Sequence, residues 1–308
     1  MSHEMLSADL IRQHARTLKM PSLARGFDRV AQQARDAGWS LEDYLAEVLT
    51  IEVTSRSESA VRHRLRNARF PEIKTLDDFD FDAPHGVDRS AVVALARGQW
   101  LERADNLLLV GPIGTGKTHL AIALGVEAAK QRRHVRFVRA ADLVRVLLEA
   151  RDDHTLGRLI RRFTAVELLV VDELGFVPFE RAGAELLFNL LAECYERRSV
   201  IVTSNLAFSE WTKVLAGDEK LTTALLDRLA HHATVITTKG RSYGMRHRDT
   251  PAVQPNDAGS PVSAHQASRG ATSKAAAVPR AEQPGSTVRG QRAKQPAQKS
   301  PKKGEATR

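Results

Sequence analysis

A glycine-rich segment of the chain has the residue types and spacing of a phosphate-binding loop. It reads LLLVGPIGTGKTHLA and contains Gly111, four further residues, and then Gly116, Lys117 and Thr118. The glycines allow the backbone to wrap closely around an anion with its N–H groups pointing inward. Lys117 would reach the β- and γ-phosphates of a nucleotide, and the Thr118 hydroxyl would ligate Mg²⁺. The segment therefore predicts a site for ATP and Mg²⁺.

An apolar strand before this loop and a helix after it supply the structural context that the motif requires. The helix begins near Lys117 and adds its positive end to the phosphate site. Because chance seldom produces the motif, the strand and the helix together, we expect the whole loop to contact the nucleotide. The expected contacts are Gly111, Pro112, Ile113, Gly114, Thr115, Gly116, Lys117, Thr118 and His119.

A second apolar strand, LLVVDE, ends in the two acids Asp172 and Glu173. Asp172 would bind the nucleotide through Mg²⁺, and Glu173 would orient and polarise the attacking water. The adjacent glutamate favours hydrolysis, since a phosphotransferase would direct a substrate hydroxyl at the γ-phosphate instead of water. We therefore predict Asp172 as a metal and cofactor residue and Glu173 as a catalytic residue.

Two more polar residues occupy positions that suit catalysis. The strand VIVTS ends at Asn205, whose amide could hydrogen-bond the γ-phosphate or the attacking water. Arg228 lies on an amphipathic segment just before the last predicted strand, where ring-forming ATPases carry an arginine that reaches the neighbouring subunit's γ-phosphate. The alternatives are a turn-forming asparagine and an ordinary surface arginine. Their positions along the chain favour the catalytic roles.

Short apolar runs alternate with longer amphipathic segments in the middle of the chain. The continuous apolar runs are typical of strands buried on both faces of a parallel sheet. Strands are predicted at 106–110, 135–139, 167–172, 199–203 and 233–237. Helical segments are predicted near 117–131, 141–150, 155–163, 182–197, 208–215 and 221–230. The predicted fold class is α/β, an AAA+ P-loop NTPase with a parallel five-stranded sheet.

Residues 1–70 are predicted to form a small all-helical domain that binds DNA or a partner. Leu23, Phe27, Val30, Ala31 and Ala34 have the spacing of one buried helical face. A further helix is predicted to begin with a capping box and to end before a proline, with one apolar side. Its residues are the cap Ser40 and Asp43, the apolar side Leu41, Tyr44, Leu45, Val48 and Leu49, and the terminator Pro71.

A basic stripe lies toward the end of that helix. Arg62, Arg66 and Arg69 recur at the spacing of one helical face, with only Glu58 opposing them nearby. Such a stripe could straddle the phosphates of DNA, and a solvated charged face is the alternative. Because phosphates carry no base information, the stripe gives no reason to expect sequence specificity.

The remaining parts of the chain are a linker at 71–105, the ATPase domain at 106–248 and a tail at 249–308. The tail carries ten Lys and Arg against four Asp and Glu, which accounts for +6 of the net charge of +9. Its few large apolar residues predict a disordered basic segment. No apolar run approaches the roughly 20 residues of a membrane span, and the N-terminus lacks a secretory pattern. We therefore expect a cytoplasmic protein with no membrane partner.

Taken together, these motifs resemble the IstB-like ATP-binding proteins. The segments GPIGTGKTHLA, VVDELG, VTSN and LLDRLAHHATVI carry the resemblance, with LKMPSLARGFDRV and NARFPEIKTLDDFDF ahead of the loop. The resemblance covers residues 5–248. Proteins of this kind are AAA+ helpers of bacterial insertion sequences and are relatives of the DnaC-type replicative helicase loaders.

The resemblance implies an ATPase that assembles with ATP as a homo-oligomer on double-stranded DNA. It implies slow, DNA-stimulated hydrolysis, distortion of the duplex, and recruitment or activation of the transposase of the same element. Asn205 would be the sensor of the nucleotide, and Arg228 would be the finger acting across the subunit interface. One departure is Gly244 after Ser242-Tyr243, where related sequences often carry an arginine, so that Arg246 would have to substitute.

Three other functions are open on the residues alone. A DnaC-type helicase loader has the same ATPase motifs, and its N-terminal domain would grip a replicative helicase. A P-loop kinase would need a lid and an acceptor pocket, which no segment suggests. A protein that uses ATP only as a binding switch would not need Glu173.

Overall fold

Three helices precede a region in which strands and helices alternate. The computed structural model describes residues 3–240, so that the predicted tail and Ser242 to Arg246 lie outside the described residues. The helices are α1 His3–Thr17, α2 Pro21–Ala37, α3 Leu41–Ala68, α4 Arg89–Ala96, α5 Gln99–Glu102, α6 Lys117–Lys130, α7 Ala140–Asp152, α8 Leu156–Thr164, α9 Arg181–Cys194, α10 Trp211–Val214 and α11 Glu219–Ala230. The strands are β1 Asn106–Val110, β2 Val135–Arg139, β3 Leu168–Leu174, β4 Ser199–Ser204 and β5 Ala233–Thr237. None of the described helices combines the length and the apolar character needed to cross a membrane.

The strands of the described chain form one parallel sheet in the order β2-β3-β4-β1-β5. Strand β1 lies between β4 and β5, with Leu108 opposite Val202 on one side and Val235 on the other. Every residue of β1 is buried because helices cover both faces of the sheet. The predicted fold, an AAA+ P-loop NTPase with a five-stranded parallel sheet, is confirmed. The carboxyl ends of β1, β3 and β4 consequently lie side by side at one edge.

Two apolar cores lie against the two faces of this sheet. One contains α7, α9 and α11 and includes the fully buried Cys194. Burial raises the pKa of the Cys194 thiol to about 12, so it behaves as an apolar core group. The other core contains α4, α5 and α6 together with Ala68 at the end of α3.

Residues 71–105, the predicted linker, fold against the sheet. They contain α4 and α5, and their residues Val92, Trp100 and Leu101 are buried in the same core as β1 and α6. The Trp100 indole N–H donates to Leu95 O at 2.8 Å, which satisfies its polar group inside that core. This segment therefore packs as part of the same core as β1 and α6.

Helix α3 connects the N-terminal helices with that core. Ser40 caps it as predicted, since the Ser40 hydroxyl accepts the Asp43 N–H at 3.1 Å. The helix has 28 residues, a length of roughly 42 Å at 1.5 Å per residue. Its first half packs on α2, and its last turn buries Ala68 beside α6.

The prediction of one buried apolar side along α3 is wrong for most of its residues. Val48 is buried, and Tyr44 packs partly against α2, but Leu41, Leu45 and Leu49 are 81%, 55% and 42% exposed. Helix α2 covers only one strip of α3, centred on Val48. The residues spaced by four from Leu41 lie on the flank of that strip, where no described helix covers them.

A buried carboxylate holds the beginning of α2. Met20 provides no side-chain cap there, and Glu52 of α3 instead accepts the N–H groups of Ser22 at 2.8 Å and Leu23 at 3.0 Å. Burial alone would raise the pKa of Glu52, but these hydrogen bonds and Arg56 outweigh burial and lower it. The negative charge also lies at the positive end of α2.

We predict that Glu52→Gln destabilises the protein at pH 7 by about 1–3 kcal/mol, because a charged acceptor is replaced by a neutral one. Because the pKa of Glu52 is lowered on folding, its carboxylate stabilises the fold at pH values above its ordinary pKa of 4.5. This stabilisation is lost as the pH falls through the folded-state pKa. The difference from wild type should therefore shrink on acidification. Thermal unfolding measured by circular dichroism from pH 7 to pH ~3 tests this. The exposed Glu47→Gln on the same helix is the control, and an equal loss there would contradict the prediction.

Candidate functional site

The phosphate-binding loop joins the end of β1 to the start of α6. Gly111 has φ 148° and Gly116 has φ 88°, both in the region that favours glycine. A Cβ on Gly111 would lie 2.2 Å from Thr238 O, and one on Gly116 would lie 2.7 Å from the Phe79 ring. Both positions therefore require glycine for conformation and for space.

Thr238, directly after β5, braces this loop. Its N–H donates to Val110 O at 2.8 Å, and its hydroxyl lies 2.6 Å from the Thr115 hydroxyl. The Thr115 hydroxyl also contacts Pro112 O at 2.8 Å. No pattern in the sequence pointed to Thr238, because the two threonines are 123 residues apart and meet only when β5 pairs with β1.

Lys117, at the first position of α6, is buried beneath the loop, and its ammonium donates to Pro112 O at 2.6 Å. Burial lowers the pKa of Lys117, and the nearby Asp172 and Glu173 carboxylates oppose that shift. The buried ammonium and the N-terminus of α6 make this loop a strong site for phosphate.

Asp172 connects three elements at the carboxyl edge of the sheet. Its Oδ1 accepts the Thr118 hydroxyl of α6 at 2.9 Å and the Thr203 hydroxyl of β4 at 2.6 Å. The structure thus brings together Lys117, Thr118 and Asp172, as the motifs predict. Thr203 was missed by the sequence reasoning, although it precedes Asn205 by two residues on a strand that was recognised.

Glu173 lies next to Asp172 in a strained backbone conformation. Its φ is 59°, at a register irregularity between Val171 and Leu174 of β3. Its N–H donates to the Thr203 hydroxyl at 2.8 Å, which holds this irregular turn in place. The carboxylate is half exposed, 3.7 Å from the Arg139 guanidinium. A β-bulge of this kind turns a side chain away from the regular strand direction, and here it turns Glu173 out of the buried sheet.

Asn205 follows the last residue of β4. Ser204 pairs with Val110 of β1 and with Leu174 of β3, so Asn205 lies at the edge between the loop and the acidic pair. It is half-buried, and its side chain makes no hydrogen bond to any other residue within 3–240. The amide is therefore available to a ligand at this edge.

Arg228 is not brought to this edge. It lies in the last turn of α11, where it donates to Ala224 O at 2.8 Å and its guanidinium lies 5.0 Å from the Phe188 ring centre. The adjacent Leu229 O accepts from the side chain of Asn106, the first residue of β1. Arg228 therefore lies near the amino-terminal end of β1, and the five residues of that strand, roughly 16 Å, separate this end from the loop.

A cavity of about 350 Å³ opens beside the loop, between residues 114–119 and residues 74–85. Phe79 lies in its wall, with ring centres 4.8 Å from His85 and 5.3 Å from His119. His119 is also held by Thr75 O at 2.8 Å. Phe79 belongs to the predicted linker, and its place beside the loop depends on how residues 71–105 fold back.

The predicted basic stripe on α3 is divided by the structure. Arg62 lies 3.5 Å from Glu58 and donates to the Ser59 hydroxyl at 2.8 Å. Arg66 and Arg69 instead line a surface groove between α3, β2 and α8. The substitution of a sensor arginine by Arg246 stays a prediction because that residue lies outside the described range.

Comparison with known proteins places this chain in a family. Residues 13–251 match the family described as IstB-like ATP binding protein. The chain belongs to this IstB-like family. It is 38% identical over 231 residues to a Pseudomonas aeruginosa protein named for ATP binding in insertion sequence IS21, with 75% of this chain and 87% of that protein covered. A Geobacillus stearothermophilus protein similarly named for insertion sequence IS5376 is 34% identical over 238 residues, covering 77% and 94%.

Solved structures show a weaker likeness. The crystal structure of the DnaC helicase loader matches 57% of this chain and 99% of that chain, at 20% identity and a TM-score of 0.45. A likeness of this size does not bear on function. The family, together with the glycine loop and Lys117, identifies this chain as an ATP-binding protein.

We predict that Thr203→Val lowers ATP turnover by at least about tenfold, because Asp172 loses one hydrogen bond and the Glu173 N–H loses its acceptor. ATP affinity should change less than about threefold, since the loop and Lys117 are untouched. Steady-state hydrolysis and equilibrium binding of ATP separate the two effects. The control is Thr234→Val on the exposed part of β5. Full turnover in Thr203→Val would contradict the prediction.

Proposed function

We propose that this protein is an ATPase that assembles on double-stranded DNA and presents that DNA to a transposase of the same mobile element. The observation that most directly supports this proposal is the separation of Arg228 from the loop of its own chain. An arginine at the amino-terminal level of the sheet can act on a nucleotide only from a neighbouring copy. Family membership supports the mobile-element role, since the relatives are named for insertion sequences.

Hydrolysis is supported by the arrangement of Glu173 and Asn205. Glu173 lies near the end of β3, and Asn205 directly follows β4, the strand between β3 and β1; both side chains are at least partly exposed at that edge. The Glu173 carboxylate would orient water toward the γ-phosphate, and the Asn205 amide would hydrogen-bond the phosphate or that water. A buried Lys117 would stabilise the negative charge of the phosphates.

The oxygen groups of Thr118 and Asp172 fit Mg²⁺. This hard cation prefers oxygen ligands, and the two oxygens already lie 2.9 Å apart in a buried setting. Thr118 would ligate it directly, and Asp172 would bind it through its water shell. When bound, Mg²⁺ neutralises charge on the β- and γ-phosphates.

The adenine ring is assigned to the cavity beside Phe79. The aromatic rings of Phe79, His85 and His119 form part of its wall next to the loop. Residues 74–85 would then contact the bound base. This links nucleotide binding to the segment that joins the N-terminal helices to β1.

ATP turnover and particle size, measured together with and without double-stranded DNA at fixed salt, test the proposal. We expect ATP and DNA together to produce a large assembly and to increase hydrolysis. The variant Glu173→Gln should bind ATP and hold the DNA-bound assembly without turnover. A monomer whose hydrolysis ignores DNA would contradict the proposal.

Arg228→Ala should bind ATP normally and fail to hydrolyse it, because each Arg228 acts on the nucleotide bound to the neighbouring subunit. Mixed with Lys117→Ala subunits, which supply Arg228 but cannot bind ATP, the Arg228→Ala subunits should regain turnover. Titrating one variant against the other at constant total protein measures this rescue. Without rescue, the role of Arg228 across the interface would be refuted.

A further inference from the structure

A groove of about 690 Å³ lies on the surface where α3, the start of β2 and the end of α8 meet. Its lining includes the five arginines Arg64, Arg66, Arg69, Arg136 and Arg162, together with His63 and His134. No carboxylate is among the lining residues. The groove is therefore a concentrated positive surface built from both the N-terminal helices and the ATPase core.

The positive charge of this groove is not neutralised by the protein. None of the five guanidinium groups forms an ion pair or donates a hydrogen bond to any group within residues 3–240. The Nε of Arg64 is buried without a partner. The nearby Glu167 is already bound to Arg133 at 2.9 Å and to the His134 N–H at 2.9 Å.

Crowding of like charges is visible at Arg136. Burial lowers the pKa of this guanidinium, and the neighbouring Arg69 and Arg162 lower it further. Its guanidinium lies 5.9 Å from the Phe163 ring centre, which keeps it directed along the groove wall. A multivalent anion in the groove would relieve this repulsion, because each arginine offers several N–H donors to phosphate oxygens.

The nucleotide cannot be that anion. Val135 and Arg136 are the first two residues of β2, whereas the loop and Asp172 lie at the carboxyl ends of their strands. Because the strands are parallel, the groove lies at the amino-terminal ends of the strands and the nucleotide site lies at their carboxyl ends. An anion bound in the groove would therefore be separate from the ATP phosphates.

We propose that this groove binds consecutive phosphates of the DNA backbone, so that DNA contacts α3 and the ATPase core at once. The inference rests on the proposed function. It adds Arg64, Arg136 and Arg162 to the arginines of the stripe predicted from the sequence. A row of arginines without carboxylates suits a repeating polyanion. Contacts to phosphates alone give binding without sequence preference.

Binding of a labelled DNA duplex to two double variants of the full chain tests the groove. Arg66→Gln with Arg162→Gln removes two exposed groove charges from α3 and α8. Arg29→Gln with Arg158→Gln removes two exposed charges outside the groove, from α2 and α8, and leaves the same net charge. Unfolding temperature and ATP affinity, measured in parallel, confirm that both proteins fold.

We expect the groove variant to bind DNA at least about tenfold more weakly and to lower the slope of log affinity against log salt by about 2. The matched variant should change affinity less than about threefold. Equal losses in both variants would overturn the groove in favour of diffuse charge. Unchanged binding by the groove variant, with wild type binding normally, would overturn the groove alone. If wild type itself binds no DNA, the proposed function fails as well.

Discussion

The Oδ1 of Asp172 is the point on which the organisation of this protein depends. It accepts two hydroxyl groups, one from Thr118 of α6 and one from Thr203 of β4. These bonds join α6, which begins at the end of the glycine loop, to β3, which contains Glu173, and to β4, which directly precedes Asn205. Hydrogen bonds to a buried charge contribute about 1.5–3 kcal/mol each, so the arrangement is preorganised before a ligand binds. The parallel sheet makes it possible, because only in a parallel sheet do these strand ends meet.

In our account, the two ends of the parallel strands carry different functions. The residues proposed to bind the nucleotide lie at the carboxyl ends of the strands, while Arg228 and the arginine groove lie toward the amino-terminal ends of β1 and β2. In our account, DNA and the neighbouring subunit therefore approach surfaces that ATP does not occupy. Helix α3 spans this arrangement, since it begins in the N-terminal helices and ends against α6.

Much of the fold could be predicted from the sequence. Strands β1, β2 and β5 begin and end at the predicted residues, although only β1 is buried throughout, as expected of a central strand in a parallel sheet. The phosphate loop was equally clear, since its spacing reflects backbone geometry that few sequences satisfy. Lys117, Thr118 and Asp172 follow from those two signals.

What could not be predicted depends on contacts between distant segments. Thr203 in β4 and Thr238 just after β5 carry no signal in the sequence, because only strand pairing brings them to Asp172 and Thr115. Phe79 gains its place only when residues 71–105 fold against the loop. The burial of α3 was overestimated because apolar spacing reveals a helical face but not the width of the helix that covers it.

The most direct test of this account is the affinity for ATP with Mg²⁺ and with EDTA, in wild type and in Asp172→Asn. The asparagine oxygen still accepts the Thr118 and Thr203 hydroxyls, so the fold and the loop should persist. We predict that Mg²⁺ strengthens ATP binding by wild type, whereas Asp172→Asn binds ATP but loses most of this dependence. Full Mg²⁺ dependence in the variant, or no ATP binding by wild type, would contradict the account.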